Sequence, residues 1–352
     1  MNRLDRRTYL SLAVGGLLAL AGCAGEDEDA DDEPTEASEE SEASASEAEA
    51  ASASPDEDDP DEPADDESAT SAEPDGEFDV GERLEVDDFE VVVSDFDRVD
   101  DVTGADDEVL EADDGTVFGV VDLAVRHAGE EAILAVDEYV SVDLGDEEGG
   151  TYDRIDALEN DPQVPTESRL APGEVARGTL VYELDDDTDA PVFDLESVDG
   201  EAYVVTLDEE ADSSVTLEQE LDDVRSFGQH AEGAGVEVTV TTLEHGNNLG
   251  GFMQSDEGHE VVAVGLSLEN ESGRDRTLST GQAALIDEFG RHHGDAPKMV
   301  RGLEDFEGTE LKGGEEHDGK IAYQIEEGHS ELYWVFDFLE WGDDRREFWK
   351  LR

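Results

Sequence analysis

The chain has 352 residues, with 101 Asp plus Glu against 21 Lys plus Arg, a formal net charge of −80 and one cysteine. A polymer this acidic offers no Lys/Arg cluster to displace phosphate counterions, so nucleic acid is excluded as a partner, and anionic lipid headgroups are repelled. With Cys23 the only thiol, no internal disulfide can form, and stability must come from packed cores.

The first predicted element is an export signal over residues 1–22. Asp5-Arg6-Arg7-Thr8-Tyr9-Leu10 reads as a twin-arginine region, with Arg6 and Arg7 as its basic pair. The apolar run from Leu10 to Ala21 is shorter than the about 20 residues a membrane span needs. It ends in Leu20-Ala21-Gly22-Cys23, a lipobox: Leu20, Ala21 and Gly22 lead to a cut, and Cys23 takes lipid. Two lipid chains on Cys23 would anchor stably where one is marginal. The expected location is the outer face of the cytoplasmic membrane, with the membrane met through that anchor.

Residues 23–77 are predicted to be a disordered acidic stalk. Between 24 and 77 there are 25 acids, no Lys or Arg, and otherwise only Ala, Ser, Thr, Pro and Gly. Nothing there can be buried to offset ordering entropy, and like charges extend the chain. The acid excess continues beyond the stalk, and the only lysines are Lys298, Lys312, Lys320 and Lys350. This composition resembles secreted proteins of salt-loving archaea. At about 1 M salt the Debye length is about 3 Å, which screens the self-repulsion of such a chain.

From residue 78 the sequence repeats. Gly81, Phe89, Val91 and Val93 recur as Gly228, Val236, Val238 and Val240; Val121, Leu123 and Val125 as Val264, Leu266 and Leu268; Leu170, Gly173, Gly178, Leu180 and Tyr182 as Leu311, Gly314, Gly319, Ile321 and Tyr323. Each copy reads as strands: 89–93 and 236–240, 117–125 and 261–268, 178–184 and 319–325, separated by Gly, Asp and Pro clusters. The fold class is all-β: two tandem immunoglobulin-like β-sandwiches over 78–208 and 222–352, joined by 209–221, with a closed barrel as the alternative to each sandwich. Leu332, Trp334, Phe336 and Phe338 alternate onto one face, read as core.

The matched motifs also resemble a known family. Val80-Gly81-Glu82 and Phe227-Gly228-Gln229 precede the first strand; His127-Ala128-Gly129-Glu130 and Asn270-Glu271-Ser272-Gly273 follow a later one. The second copy then has Leu285-Ile286-Asp287-Glu288-Phe289-Gly290, and both have a Leu-x-x-Gly-Glu turn before a Leu/Ile-x-Tyr strand. This is similar to the immunoglobulin-like domain of unknown function found in microbial surface lipoproteins and related to secreted immunoprotective antigens. The first copy departs from it at Leu144-Gly145-Asp146-Glu147-Glu148-Gly149. The resemblance implies a fold and supplies no catalytic residue.

Chemistry is sparse in the sequence. His230, His245, His259, His292, His293, His317 and His329 show no metal-ligand spacing and have no Cys partner, so they read as solvated loop residues and no metal site is assigned. The acidic runs 106–108 and 185–187 lack a spaced calcium loop. No nucleophile elbow, zinc-protease helix or phosphate loop occurs, so no catalytic residue and no cofactor is assigned. Asn270-Glu271-Ser272 is the sole sequon, which makes Asn270 the candidate N-glycosylation site. The reading is a lipid-anchored surface protein with a non-catalytic binding or envelope-structural role, its partner an envelope protein or glycan. A solute-binding lipoprotein of a transporter and a secreted hydrolase using dispersed acids and histidines are the alternatives.

Overall fold

Runs of Val, Leu and Phe at strand length, punctuated by Gly-containing turns, build one strand layout twice. The structure, a computed structural model, describes residues 75–103, 109–130, 133–146, 149–155, 165–207, 214–247, 249, 255–294 and 308–352. The export signal with Arg6 and Arg7, the lipobox Leu20-Ala21-Gly22, Cys23 and the acidic run 106–108 lie outside the described residues.

In the first copy a four-stranded sheet runs in the order Val175–Asp185, Thr116–His127, Phe89–Val99, Leu84–Val86. It faces a five-stranded sheet ordered Gly76–Asp79, Ala202–Thr206, Pro191–Ser197, Val140–Asp146, Thr151–Tyr152. The second copy repeats both, as Glu316–Glu326, His259–Asn270, Val236–Gly246, His230–Gly233 and as Val224–Ser226, Arg346–Lys350, Leu332–Asp337, Ala283–Asp287, His292–His293. In each, the first strand pairs in parallel with the last and the other ladders are antiparallel. Helical turns among the described residues are all 3₁₀, so the βαβ lobes of a transporter-type binding protein are not found there.

The repeated glycines have a backbone reason. Gly81 and Gly228 sit at φ +88° and +80°, a conformation in which a Cβ costs energy, and their N–H groups donate to Val93 O at 2.8 Å and Val240 O at 3.1 Å. The receiving strand bulges at the same place in both copies, between Val93 and Asp95 and between Val240 and Thr242.

Each sandwich has its own core. In the second, Leu332, Trp334, Phe336 and Phe338 are buried with Trp349 and Tyr323, as their alternation predicts. Trp334 Nε1 donates to Tyr323 Oη at 3.1 Å, so the indole is buried with its polar atom satisfied. The other face of the same strand is buried too. Tyr333 and Val335 pack with Ile286, Phe348 and Ala171, the last from the first copy.

That contact is part of a seam joining the sandwiches. Segment 214–221, the described part of the connection expected over 209–221, lies pinned between them. Val215 N–H donates to Gly81 O (2.8 Å), Gln219 N–H to Glu288 O (2.9 Å) and Glu220 N–H to Gly173 O (2.9 Å), while Leu217 is buried against Val92, Ala124 and Val175. Arg346 of the second copy reaches Glu174 of the first at 2.9 Å, and both side chains are almost wholly buried. Burial pushes the Glu174 carboxyl up, and Arg346 pulls it back.

Candidate functional site

The strand Ala283–Asp287 turns tightly back into His292–His293, pairing Leu285 with His293 and Ile286 with His292. Asp287 makes the turn. Its Oδ1 accepts the N–H groups of Phe289 and Arg291, both at 2.9 Å, and Gly290 takes the φ of +84° that the turn requires. Oδ2 is then left over. Asp287 is fully buried, and Oδ2 accepts no hydrogen bond.

Two imidazoles face this oxygen. His293 Nε2 lies 3.8 Å away. His329, from the turn between Glu316–Glu326 and Leu332–Asp337, places Nδ1 at 3.3 Å. The two rings meet edge to face with centroids 4.9 Å apart. Side-chain exposures of 10% for His293 and 14% for His329 leave a narrow rim open to solvent. Glu288 fixes the His329 turn: Oε1 accepts the N–H of Ser330 at 3.2 Å and its hydroxyl at 2.7 Å, and Oε2 accepts the N–H of Glu331 at 3.3 Å.

The electrostatics keep the rings of His292 and His293 unprotonated. Burial pushes His293 down to about 3, with His329 and Arg291 adding to the effect. Burial likewise holds His292 at about 3, helped by Arg346 and His293. Asp287 is pushed up by burial, against the two N–H bonds and His329. Glu288 is also pushed up by burial, but the hydrogen bonds from Ser330 and Glu331 outweigh that and its carboxyl sits below the ordinary value.

Asp287, His293 and His329 each offer one ligand atom, all within 4.8 Å of one another, the one such group among the described residues. Two imidazole nitrogens and one carboxylate oxygen are donors suited to a borderline divalent cation. Sequence spacing could not assemble them, because they come from a strand end, the next strand and a turn 36 residues further on. The reading of His292, His293 and His329 as solvated loop residues is therefore corrected: the hairpin carries His292 and His293 inward, and the Glu288-bound turn presses His329 onto His293. His230 and His245 are exposed, as expected, while His259 and His317 are half-buried.

A usable signal was nevertheless present in the repeat. Asp287, His293 and His329 each stand 141 positions after Asp146, Tyr152 and Thr188. The first copy uses the same backbone: Asp146 Oδ1 accepts Gly150 N–H at 2.8 Å, as Asp287 Oδ1 accepts that of Arg291. There Tyr152 Oη donates to Asp146 Oδ2 at 3.2 Å and shares a 2.8 Å hydrogen bond with Thr188 Oγ1, which closes the corner.

The glycosylation expectation meets a different outcome. Asn270 is fully buried. Its Nδ2 donates to Arg274 O at 2.7 Å and Leu311 O at 2.8 Å, and its Oδ1 accepts the Ser272 hydroxyl at 2.6 Å. In the folded chain both amide hydrogens are engaged and the side chain is buried, so Asn270 is a turn-forming residue. Of the site residues read from the sequence, it is the one that falls among the described residues.

No curated protein matches the chain significantly. Among solved structures it is similar to a conserved hypothetical protein from Bacillus anthracis, at 23% identity over 37% of this chain and 95% of that one, with a TM-score of 0.31. It is also similar to the yjhA protein from Bacillus subtilis, at 16% identity over 37% and 100% with a TM-score of 0.29. An uncharacterized β-sandwich protein from Clostridium difficile 630 shares 16% identity over 39% and 97%, with a TM-score of 0.28. The model of one family matches residues 78–213 and again 226–346, coinciding with the two sandwiches. The chain thus belongs to the family described as a domain of unknown function, DUF4352, and carries that domain twice.

Proposed function

We propose that this protein is an exported, lipid-anchored surface protein of a halophile, whose acidic stalk carries a non-catalytic head that binds an envelope protein or glycan or serves the envelope structurally. The observation that carries the reading of the head is the seam. Two family domains docked through segment 214–221 and the Glu174–Arg346 pair present one composite surface at a fixed geometry, rather than two swivelling modules. The reading of the anchor rests on Arg6-Arg7 and on Leu20-Ala21-Gly22 before Cys23.

Detergent-phase partition of the chain produced in a halophilic host tests the anchor. The native chain should enter the detergent phase and Cys23→Ser should stay in the aqueous one; a native chain found only in the aqueous phase removes the anchor from the reading. Affinity capture from envelope extract in molar salt tests the head. Capture by the intact head that is weakened by Arg346→Leu supports a composite surface, and equal capture by the two proteins argues against it.

A further inference from the structure

We propose that Asp287, His293 and His329 form a binding site for one divalent transition-metal ion of the zinc class, which staples the 287–293 hairpin to the 327–331 turn. Three observations meet here. The first is the donor set and its spacing. Two ligands on a tetrahedral ion with bonds of about 2.0–2.1 Å stand about 3.3 Å apart, and Asp287 Oδ2 to His329 Nδ1 is 3.3 Å. His293 Nε2 lies 3.8 Å from the same oxygen, and the three ligand atoms are within 4.8 Å of one another, so closing on an ion asks His293 to move inward.

The second is unmet bonding capacity. Asp287 Oδ2 and His293 Nε2 are buried without hydrogen-bond partners, and a buried polar atom left unpaired is costly. A cation coordinated by the carboxylate oxygen and the imidazole lone pairs satisfies all three groups together. Neutral imidazole is the ligating form.

The third is the internal control. The first copy has the same turn at the same three positions and closes it with hydrogen bonds, Tyr152 to Asp146 and Tyr152 to Thr188. In the second copy the residues able to make those bonds are replaced by two ligand-type imidazoles while the aspartate is kept. The ion would leave positions for water at the exposed rim, as an open site does. Its place in the molecule also matters. Gly290, inside the stapled hairpin, receives the Arg177 N–H of the first copy at 3.0 Å, and the neighbouring Glu288 carbonyl receives the Gln219 N–H at 2.9 Å. The ion would thus hold rigid the loop through which the second sandwich grips the first.

The test is a Co²⁺ titration of the full chain carrying Cys23→Ser, which removes the sole thiol, stripped of metal by EDTA and kept in molar NaCl with excess Mg²⁺ to occupy surface carboxylates. One saturable equivalent should bind with visible ligand-field bands, and one equivalent of Zn²⁺ should displace it. His293→Tyr with His329→Thr restores the first copy's own closure, so this protein should fold, retain its circular dichroism and bind Co²⁺ about 100-fold or more weakly. If that pair disturbs folding, His329→Gln, at the exposed rim, should still fold and lose affinity about 10-fold or more. Co²⁺ uptake that never saturates at one equivalent, or equal uptake by the parent and a folded variant, overturns the proposal.

Discussion

The two sandwiches share a strand order but solve two buried corners differently. At the end of the long strand paired with the bulged one, the first copy places His127 and the second Asn270, each fully buried and each reaching the carbonyl of the matched leucine. Asn270 satisfies both ends of its amide, whereas His127 leaves Nε2 without a partner. At the opposite end the roles reverse: Asp146, Tyr152 and Thr188 satisfy one another, and Asp287, His293 and His329 do not. A duplicated backbone therefore tolerates different polar chemistry wherever the same orphaned groups acquire some partner. Where one copy lacks that partner, the comparison shows which bond is missing.

The comparison can be broken hardest at the cores. Trp334 and Phe193 occupy matched positions on matched strands. Trp334→Ala should cost about 4–5 kcal/mol and Phe193→Ala about 3–4 kcal/mol, because the larger indole leaves the larger cavity and also gives up its hydrogen bond to Tyr323. Urea unfolding in molar salt measures both, and a smaller loss for Trp334→Ala would place less of the core energy in the second copy than its aromatic packing implies.

The seam comes next. Arg346→Leu leaves Glu174 buried without its counter-charge and should cost about 3 kcal/mol. Arg83→Leu removes an arginine that is 45% exposed and should cost about 1 kcal/mol or less. Equal effects would mean that the buried pair is not what couples the copies.

A glycine pair sharpens this further. Gly149 and Gly290 have the same turn geometry, at φ +86° and +84°. A Cβ on Gly149 meets nothing within 4 Å, whereas one on Gly290 would stand 2.4 Å from Val175 O. Gly149→Ala should therefore show only the backbone penalty, about 1 kcal/mol, and Gly290→Ala roughly 1–3 kcal/mol more from the clash at the seam. Thermal melts of the two variants report the difference.

The smallest expected effect is at His127. Burial pushes its pKa below the ordinary value, so the folded chain keeps the ring neutral while the unfolded chain takes up a proton at about pH 6.5. Its contribution is fully present above that pH and is lost as the pH falls. His127→Asn, which copies the second domain, should change stability by about 1 kcal/mol or less at pH 7 and flatten its decline below about pH 6.5. An unchanged slope would show that His127 already titrates normally in the folded state.

Local pattern made much of this molecule legible. Alternating Val, Leu and Phe need a half-buried strand, glycines at fixed places need positive φ, and both signals recur in each copy, so the tandem all-β layout and the core face of Leu332 to Phe338 followed from residues that are neighbours along the chain. Asn270 shows the limit of a three-residue motif: the same Asn-x-Ser that marks an acceptor also forms a hydrogen-bonded turn, and burial chooses between them.

What the chain order alone determined is the strand content, the duplication and the acid surface, because these depend on short-range periodicity and composition. What only the folded structure decided is the second face of the Leu332–Asp337 strand, the pinned segment 214–221 and the meeting of Asp287, His293 and His329. Each of these depends on side chains brought together by the return of distant strands, and such proximity leaves no periodic trace in one linear sequence. It leaves one here only because the first copy records the same three positions in different chemistry.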